Sequence, residues 1–465
     1  MILRHLLFRH ARAAGGAPAV LAALLGLAGC AGAVLDERTS PAARPVTAAE
    51  AAEVFDSAWS RVHRTYYDTA FNGLDWEAIR DELRPRPMTG WTAETLREMI
   101  DEMLSRLGDS HFGVIPAEAA DALEPDSLSG AAGEPGDAGL ELRVVAGDLV
   151  VFRIDPEGPA ARAGIRTGWM VESIDTVPAR RYLDVIEEIP GERRLAEARV
   201  AWAAAARLDG RVGDTVTVRL RDGSDTPVDA RLAVRPQPGT AVRFGNLPAQ
   251  FLRLEQRALP TDGGCVGLIR FNVWMTPVIP QFEDALLALE SCHGTVIDLR
   301  GNPGGIAGLI MGTSGYFMDE TRALGRMITR ENELRLVSMP RRVTRDGRPL
   351  RPDARPLALL LDGMSMSTSE LFAAGLQSVG RARVFGETSG GQALPAMMAR
   401  LPNRDVLMYV FANYVDPDGA RIEGRGVVPD EEVPLNREDL LEGRDAALEA
   451  AVEWIRGQAA RSATH

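Results

Sequence analysis

The residues best suited to covalent chemistry lie between positions 357 and 395. An apolar run, Leu357–Leu361, is followed by a turn and by a helical pattern that begins at Ser369. The run has the composition of a strand buried on both faces. Ser367 would lie at the strand-to-helix turn, where a hydroxyl is exposed beside free helix N–H groups that could hold an oxyanion. The spacing of Ser367-Thr368-Ser369-Glu370 also fits a capping box, so Ser367 has a structural interpretation as well as a catalytic one.

Two segments resemble the nucleophile region of the tail-specific, or C-terminal processing, serine peptidases of the S41 type: Ser365–Glu370 and Gly380–Thr388. The core of that family is a crotonase-like α/β domain, and the resemblance implies that Ser367 is the nucleophile. Many members use a lysine base, and the matching position here is Gln392. The chain contains no lysine and a glutamine side chain cannot accept a proton at neutral pH, so a Ser-Lys dyad is excluded.

Histidine is then the most suitable base near pH 7. The six histidines of the chain are His5, His10, His63, His111, His293 and His465. The first two lie in a leader and the last ends the chain, while His63 is typical of helix packing and His293 of a loop. His111 follows a helix break at Gly108 and, with Ser110, resembles the base segment of a second branch of the family. That branch has a Ser-His-Glu triad, so the resemblance implies that His111 is the base.

The acid of that branch lies near a Glu-x-x-Gly-Val-x-Pro segment, which Glu423–Pro429 matches. A carboxylate there would fix the imidazole tautomer and stabilise the imidazolium that forms during attack. The ordinary interpretation of a lone glutamate is a solvated loop charge. The spacing after Ser367 and the flanking glycines favour the catalytic interpretation of Glu423.

The most specific mark of the family is Asp-Leu-Arg-x-Asn-Pro-Gly-Gly, which is present at Asp298–Gly305. Glycines let the backbone approach a substrate carbonyl closely. By resemblance, the amides of Gly304, Gly305 and Thr368 form the oxyanion hole. The two glycines also suit a turn before a helix, and this role does not exclude the other.

The N-terminus has the features of a bacterial lipoprotein leader. Three arginines and no acid precede an apolar run, Ala19–Gly29, which is too short to span a membrane. Leu27-Ala28-Gly29-Cys30 resembles a lipobox, in which Cys30 carries the lipid. The alternative is simple secretory cleavage near 31–33. Because Ala31 is not an acidic retention signal, we expect an outer-membrane anchor that faces the periplasm.

Composition changes along the chain indicate several domains. The predicted divisions are a lipoprotein signal peptide at 1–29, a tether at 30–47, an N-terminal helical domain at 48–116, a linker at 117–138, a PDZ domain at 139–236, the crotonase-like peptidase domain at 237–440, and a C-terminal helix and tail at 441–465. The PDZ assignment rests on a resemblance carried by Gly158-Pro159-Ala160 and Ala163-Gly164-Ile165. It implies that Gly139, Leu140, Glu141 and Leu142 hold the end of an extended peptide, unless the domain is a structural cap alone.

The remaining composition limits the classes of ligand. A formal net charge of -13 makes a nucleic-acid partner unlikely, and no residues have metal-ligand or phosphate-loop spacing, so we expect no cofactor. Cys265 and Cys292 precede neighbouring strands, and whether they form a disulfide stays open because spacing does not give geometry. The oligomeric state also stays open.

The sequence therefore predicts a mixed α/β serine endopeptidase that is lipid-anchored in the cell envelope. Its partners would be unstructured or C-terminal tails of protein substrates, bound by the PDZ domain and cleaved through an acyl-enzyme. The alternative is a catalytically inactive PDZ-bearing adaptor that lost its base together with the lysine.

Overall fold

The computed structural model describes residues 44–85, 90–117, 134–187, 193–243 and 250–463. The predicted signal peptide, the lipid site Cys30, most of the tether and most of the linker lie outside the described residues. Within the described ranges no helix is both long and apolar enough to cross a membrane.

The N-terminal part is helical. Its elements are α1 (Ala48–Thr65), a 3₁₀ turn (Phe71–Gly73), α2 (Trp76–Leu83), α3 (Ala93–Ser105) and the short strand β1 (Gly113–Ile115). Thr47 and Glu50 form a capping box at the start of α1, which satisfies free helix N–H groups. The apolar faces of the three helices bury a cluster that includes Trp59, Tyr66 and Ile100.

The second part is an inserted β domain. Its strands are β2 (Pro135–Asp137), β3 (Leu140–Val145), β4 (Asp148–Ile154), β5 (Met170–Ile174), β6 (Val177–Pro178), β7 (Asp209–Arg211), β8 (Thr215–Arg221), β9 (Pro227–Ala233) and β10 (Arg235–Pro236), and its helices are α4 (Pro159–Arg162), α5 (Arg180–Glu187) and α6 (Arg193–Ala205). The main sheet has the order β3-β4-β5-β8-β9, with β6 beside β5. Strand β3 is at its edge, and α6 packs along β3.

The boundary of this domain differs from the prediction. Residues 135–137, which we assigned to the linker, form β2 and pair with both β7 and β10. Glycine and proline are rare in strands, so the sequence of this segment does not indicate one. The strand forms because it pairs with residues about 70 to 100 positions downstream.

The third part is a mixed α/β domain. Its strands are β11 (Thr240–Val242), β12 (Gln250–Leu252), β13 (Leu254–Thr261), β14 (Gly264–Phe271), β15 (Thr295–Asp298), β16 (Ala323–Thr329), β17 (Glu333–Val337), β18 (Leu357–Leu361), β19 (Arg383–Gly386), β20 (Ala396–Arg400), β21 (Val406–Val410), β22 (Ala412–Val415) and β23 (Glu431–Glu432). Its helices are α7 (Val278–Ala288), α8 (Leu309–Ser314), α9 (Thr368–Ser378), α10 (Arg437–Leu441) and α11 (Ala446–Ala463).

The central sheet of this domain has the order β13-β14-β15-β18-β19-β23 and is parallel from β14 onward. All five residues of β18 are buried. Leu357, Leu359 and Leu361 belong to the core beneath α7 and α9, whereas Ala358 and Leu360 pack beneath α11. Burial on both faces explains why this strand is continuously apolar.

The helical part joins the α/β domain through a second, smaller sheet. Strand β1 pairs antiparallel with β21, which also pairs with β20. Beside this sheet, the guanidinium of Arg97 lies 2.7 Å from Asp405, and both side chains are buried. This pairing fixes the segment 107–112, which precedes β1, against the α/β domain.

The inserted domain contacts the central sheet through arginine side chains. Arg143 pairs with Asp362 at 2.8 Å and Arg153 with Asp298 at 3.0 Å, so strands β3 and β4 are tied to the ends of β18 and β15. The Phe152 ring lies between these arginines, with both guanidinium carbons within 5 Å of its centroid.

Cys265 and Cys292 form the disulfide that the sequence left open. It joins the start of β14 to the segment before β15, beside a hydrogen bond from the His293 amide to the Cys265 carbonyl. The bridge therefore closes the loop that contains α7.

The double variant Cys265→Ala, Cys292→Ala should be less stable than the wild type. The cysteines are 27 residues apart, and the chain-entropy model gives about 3.5 kcal/mol for a loop of that length. Urea denaturation of the two proteins measures the difference. A reductant should lower the wild type to the level of the variant and leave the variant unchanged, and equal midpoints without reductant would contradict the expectation.

Candidate active site

Ser367 lies at the turn between β18 and α9, immediately before the first helical residue. Its backbone has φ +54° and ψ −120°, a conformation that costs a non-glycine residue about 1–3 kcal/mol. The turn is attached to the end of β15, because the Ser365 hydroxyl donates to the Leu299 carbonyl at 2.9 Å. Ser367 is half-buried between the buried residues Met366 and Thr368, after the carboxyl end of β18.

Glu370 holds this turn in place. Its buried carboxylate accepts four hydrogen bonds, from the amides of Ser367, Gly391 and Gln392 and from the Ser389 hydroxyl, at 2.6 to 3.0 Å. Burial without a cation raises the pKa of Glu370 to about 7, although all four donors favour the ionised form. The carboxylate therefore links the nucleophile turn to the segment 389–392.

His111 lies between α3 and β1, two residues before the pairing with β21. Its backbone φ is +59°, and its Nδ1 lies 2.7 Å from the Ser110 hydroxyl. Desolvation lowers the pKa of His111 to about 4, so the imidazole is neutral at pH 7 and can accept a proton.

Glu423 faces the same segment from the loop after β22. One carboxylate oxygen accepts the Ser110 amide at 2.9 Å and the other accepts the Ala393 amide at 2.7 Å. Burial raises the pKa of Glu423, and hydrogen bonds from Ala393 and Ser110 oppose that rise. Glu423 is therefore a half-buried, hydrogen-bonded group rather than a solvated loop charge.

Ser110 joins Glu423 to His111, and we did not assign it a role from the sequence. Its hydroxyl contacts the imidazole while its amide donates to the carboxylate. Among the described residues no hydrogen bond joins His111 directly to Glu423 or to Ser367. Catalytic contacts are often long before substrate binds and tighten only in the complex. The sequence signal was the hydroxyl next to the histidine.

The segment around Gln392 connects the two halves of the site. The Ser367 amide donates to the Gln392 carbonyl at 2.9 Å, and the next residue, Ala393, donates to Glu423. The Gln392 side chain donates to the Gly391 carbonyl at 3.3 Å. The Ser367 turn is thus connected to Glu423 through residues 392 and 393, and Glu423 is connected to His111 through Ser110.

The three predicted oxyanion donors are not equivalent. The Gly304 amide already donates to the Asn302 side chain at 2.9 Å, so the prediction that Gly304 supplies a free donor is corrected. Within the part of the chain that the structure describes, the amides of Gly305 and Thr368 have no acceptor. A Cβ on Gly304 would lie 2.6 Å from the Ser367 Cβ, so glycine is needed there for close approach.

The predicted peptide-binding residues Gly139, Leu140, Glu141 and Leu142 lie at the start of β3. The Glu141 carboxylate accepts from Arg270 in the central sheet and from Arg153, so this end of the strand faces the α/β domain. In the described ranges the outer edge of β3 pairs with no other strand. The same ranges contain no group of three or more metal-ligating side chains.

His111 should titrate near pH 4 in the folded protein. Its folded pKa is depressed below the unfolded value, so its contribution to stability is complete above about pH 6.5 and is lost as the pH falls toward 4. NMR of the histidine rings, assigned with His111→Gln, measures this pKa. A midpoint near 6.5 would contradict the expected desolvation of the ring.

Glu370→Gln should change both the pH dependence of stability and the reactivity of Ser367. The folded pKa of Glu370 lies above its unfolded value, so its stabilisation is complete below about pH 4.5 and is lost as the pH rises through 7. The stability of the wild type relative to the variant should fall by roughly 3 kcal/mol between pH 4.5 and 8.

The reactivity of Ser367 in Glu370→Gln should fall at pH 8. The amide nitrogen of the glutamine would replace one carboxylate oxygen and would face two of the four N–H and O–H donors that hold the turn. Urea denaturation across this pH range and the labelling rate of Ser367 measure the two effects. Glu442→Gln, at an exposed position, is the matched control. A stability difference that does not vary with pH would count against the assignment.

Two family models and several known proteins are similar to this chain. Residues 265–433 match the model of peptidase family S41, and residues 47–105 match the tricorn protease C1 domain. A carboxyl-terminal-processing protease of Picosynechococcus is 27% identical over 398 residues, with 85% of this chain and 86% of that protein covered. The chloroplastic C-terminal processing peptidase of Tetradesmus obliquus is 29% identical over 418 residues, with coverages of 85% and 81%.

The solved structure of a photosystem II D1 C-terminal processing protease has the same mixed α/β fold. It superposes with a TM-score of 0.54 at 22% identity, covering 85% of this chain and 98% of that one. The chain therefore contains a peptidase S41 domain at 265–433, and it is a serine-type peptidase that is similar over most of its length to carboxyl-terminal-processing proteases.

Proposed function

We propose that this peptidase cleaves unstructured protein tails through an acyl-enzyme on Ser367, with His111 as the base and Glu423 as the group that orients it. The observation that carries the proposal is the set of contacts from the Ser367 turn through Gln392, Ala393, Glu423 and Ser110 to His111. The chain has no lysine to replace His111.

In the proposed reaction the neutral imidazole takes the Ser367 proton while Oγ attacks the peptide carbonyl carbon. The negative charge that develops on the carbonyl oxygen would be stabilised by the amides of Gly305 and Thr368, each donor being worth about 2.7–4 kcal/mol. The imidazolium then gives its proton to the leaving amine, and the C–N bond breaks. Water attacks the acyl-enzyme with His111 again accepting a proton, which finally returns to Ser367.

Glu423 would act on His111 through Ser110. In this proposal the imidazole Nδ1–H donates to the Ser110 hydroxyl, 2.7 Å away, while the Ser110 amide donates to Glu423 and favours its ionised form. This arrangement selects the tautomer that leaves Nε2 free as the acceptor, and it stabilises the imidazolium.

We further propose that the inserted domain is a PDZ domain that delivers substrate tails, and that the α/β domain is crotonase-like. The edge of β3 with α6 beside it suits strand addition by an extended peptide. Ala198 and Ala201 of α6 pack against Met364 and Met366, which precede the nucleophile. A cleft of about 360 Å³ lies between β3, α6 and residues 362–364, so a tail that extends from β3 through it would pass along the turn that precedes Ser367.

The proposed location rests on the sequence alone. Leu27-Ala28-Gly29-Cys30 supports a lipid on Cys30, and Ala31 supports an outer-membrane anchor that faces the periplasm. Metabolic labelling with a radioactive fatty acid, compared between the wild type and Cys30→Ala, tests the anchor independently of peptidase activity.

The direct test of the function is labelling with a serine-directed fluorophosphonate, mapped by mass spectrometry. We expect an adduct on Ser367, formed as its oxygen displaces fluoride and its proton passes to the base. His111→Gln should slow labelling and cleavage of an unfolded reporter protein by about 10²–10⁴-fold, the usual value of general-base assistance.

The matched controls are Ser367→Ala, which should not be labelled at the active site, and His293→Gln, which should behave as the wild type. Labelling at an unchanged rate in His111→Gln would reject His111 as the base. A reporter that stays bound and intact for hours, without an adduct on Ser367, would indicate the inactive adaptor instead.

A further inference from the structure

We propose that Asp109 and Arg421 are positioning residues, whose ion pair holds the segment that carries His111 in register with the segment that carries Glu423. This inference rests on the proposed function. It assigns roles to two side chains that do not touch the reacting atoms.

The two charged residues have matching places in the chain. Asp109 comes two residues before His111, and Arg421 comes two residues before Glu423. The Arg421 guanidinium lies 2.7 Å from the Asp109 carboxylate, and the Ser110 amide lies 2.9 Å from the Glu423 carboxylate. The two segments are therefore joined at consecutive positions, 109 and 110, although they lie more than 300 residues apart in sequence.

No backbone hydrogen bond joins segments 107–112 and 421–424 in the described ranges. The direct contacts between the two segments are made by side chains instead, whereas each segment is held separately, 107–112 by the β1–β21 ladder and 421–424 by segment 391–393. A displacement of one segment along the other would separate both direct contacts. The ion pair is one of the two interactions that join the segments directly.

Asp109 is the fixed end of the pair. Its side chain is 6% exposed, whereas that of Arg421 is 41% exposed. The second carboxylate oxygen accepts the hydroxyls of Tyr66 at 2.5 Å and Tyr67 at 3.1 Å. The Asp109 carboxylate is thus held by the helical domain, and it offers the Arg421 guanidinium a fixed partner.

Further contacts in the helical domain hold Tyr66, which donates to the Asp109 carboxylate. Tyr66 is fully buried, and its hydroxyl accepts from the Asn72 side chain at 3.0 Å. Asn72 also donates to the Leu107 carbonyl at 2.7 Å, at the start of the base segment. The Phe112 ring packs against Tyr66 at 5.7 Å. Both ends of segment 107–112 are therefore attached to the same tyrosine.

The backbone of His111 is strained, and the ion pair helps to keep it in this conformation. A φ of +59° is unfavourable for a histidine, so a segment released from its contacts would relax toward an ordinary conformation. The relaxation would move the imidazole away from Ser110 without disturbing the core under α1 or the β1–β21 ladder. We therefore expect loss of the pair to affect reactivity far more than folding.

The test uses the full-length protein with Asp109→Asn, Arg421→Gln and the double variant. Displacement of a catalytic group by about 1 Å can cost about 10²-fold, so each single variant should label Ser367 about 100-fold more slowly. The double variant should be no slower than the single ones, because either change removes the same contact. Arg421→Lys should restore part of the rate.

The matched control is Asp56→Asn, which removes an ion pair with Arg80 and Arg84 in the same helical domain, away from the site. It should label Ser367 as the wild type does. Labelling of Asp109→Asn at the wild-type rate, effects that add in the double variant, or a rate that falls only in proportion to the unfolded fraction would each overturn the proposal.

A second readout separates this proposal from the proposed function. The His111 ring should titrate near its ordinary value of about 6.5 in Asp109→Asn and Arg421→Gln, because the released ring becomes solvated, and should be unchanged in Asp56→Asn. If the wild type is not labelled at all, the proposed function fails while the titration still tests the ion pair. An unchanged titration in Asp109→Asn would reject positioning by this pair.

Discussion

The antiparallel pairing of β1 with β21 is the interaction on which the site depends. Three residues of the N-terminal part, Gly113–Ile115, pair with Val406–Met408 and fix the segment that carries His111 on the α/β domain. The buried pair of Arg97 and Asp405 supports the pairing from the helical side. The chain contains no lysine, so the base that we propose, His111, comes from the N-terminal part of the chain rather than from the segment that follows Ser367.

Burial determines the direction in which the pKa values of Glu370, Glu423 and His111 are shifted. Glu370 and Glu423 are both held by N–H and O–H donors, and burial raises the pKa of each. His111 is kept neutral by the same desolvation. A neutral imidazole can accept a proton, and Ser110 connects this one to the Glu423 carboxylate. Strain at Ser367 and His111 shows that the fold maintains both groups in conformations that short peptides avoid.

The sequence predicted the local features well, because they depend on neighbouring residues. Strand β18 was predicted with the bounds that the structure has, since five apolar residues in sequence are typical of a strand buried on both faces. The family assignment was also accessible, because Asp298–Gly305 and Ser365–Glu370 are compact motifs. The catalytic roles of Ser367, His111 and Glu423 stay predictions, which rest on resemblance and on the contacts described above.

The features that the sequence did not predict depend on residues far apart in the chain. The contact between Ser110 and Glu423 spans 313 positions, and that between Asp109 and Arg421 spans 312. Nothing in local spacing indicates such pairs. The engagement of the Gly304 amide by Asn302 was missed for a different reason, since the motif shows which glycines approach the nucleophile but not which N–H groups are already satisfied.

The measurement that tests the central claim most directly is a crystal structure of the protein with a peptide boronate bound, because a tetrahedral boronate reproduces the geometry of the acyl-transfer intermediate. The account predicts a covalent bond from Ser367 Oγ to boron, one boronate oxygen within 2.7–3.1 Å of the amides of Gly305 and Thr368, and His111 Nε2 within hydrogen-bond distance of Oγ or of the second oxygen. A boronate bound elsewhere, or attached to Ser367 with His111 turned away, would contradict the claim that these groups form one catalytic unit.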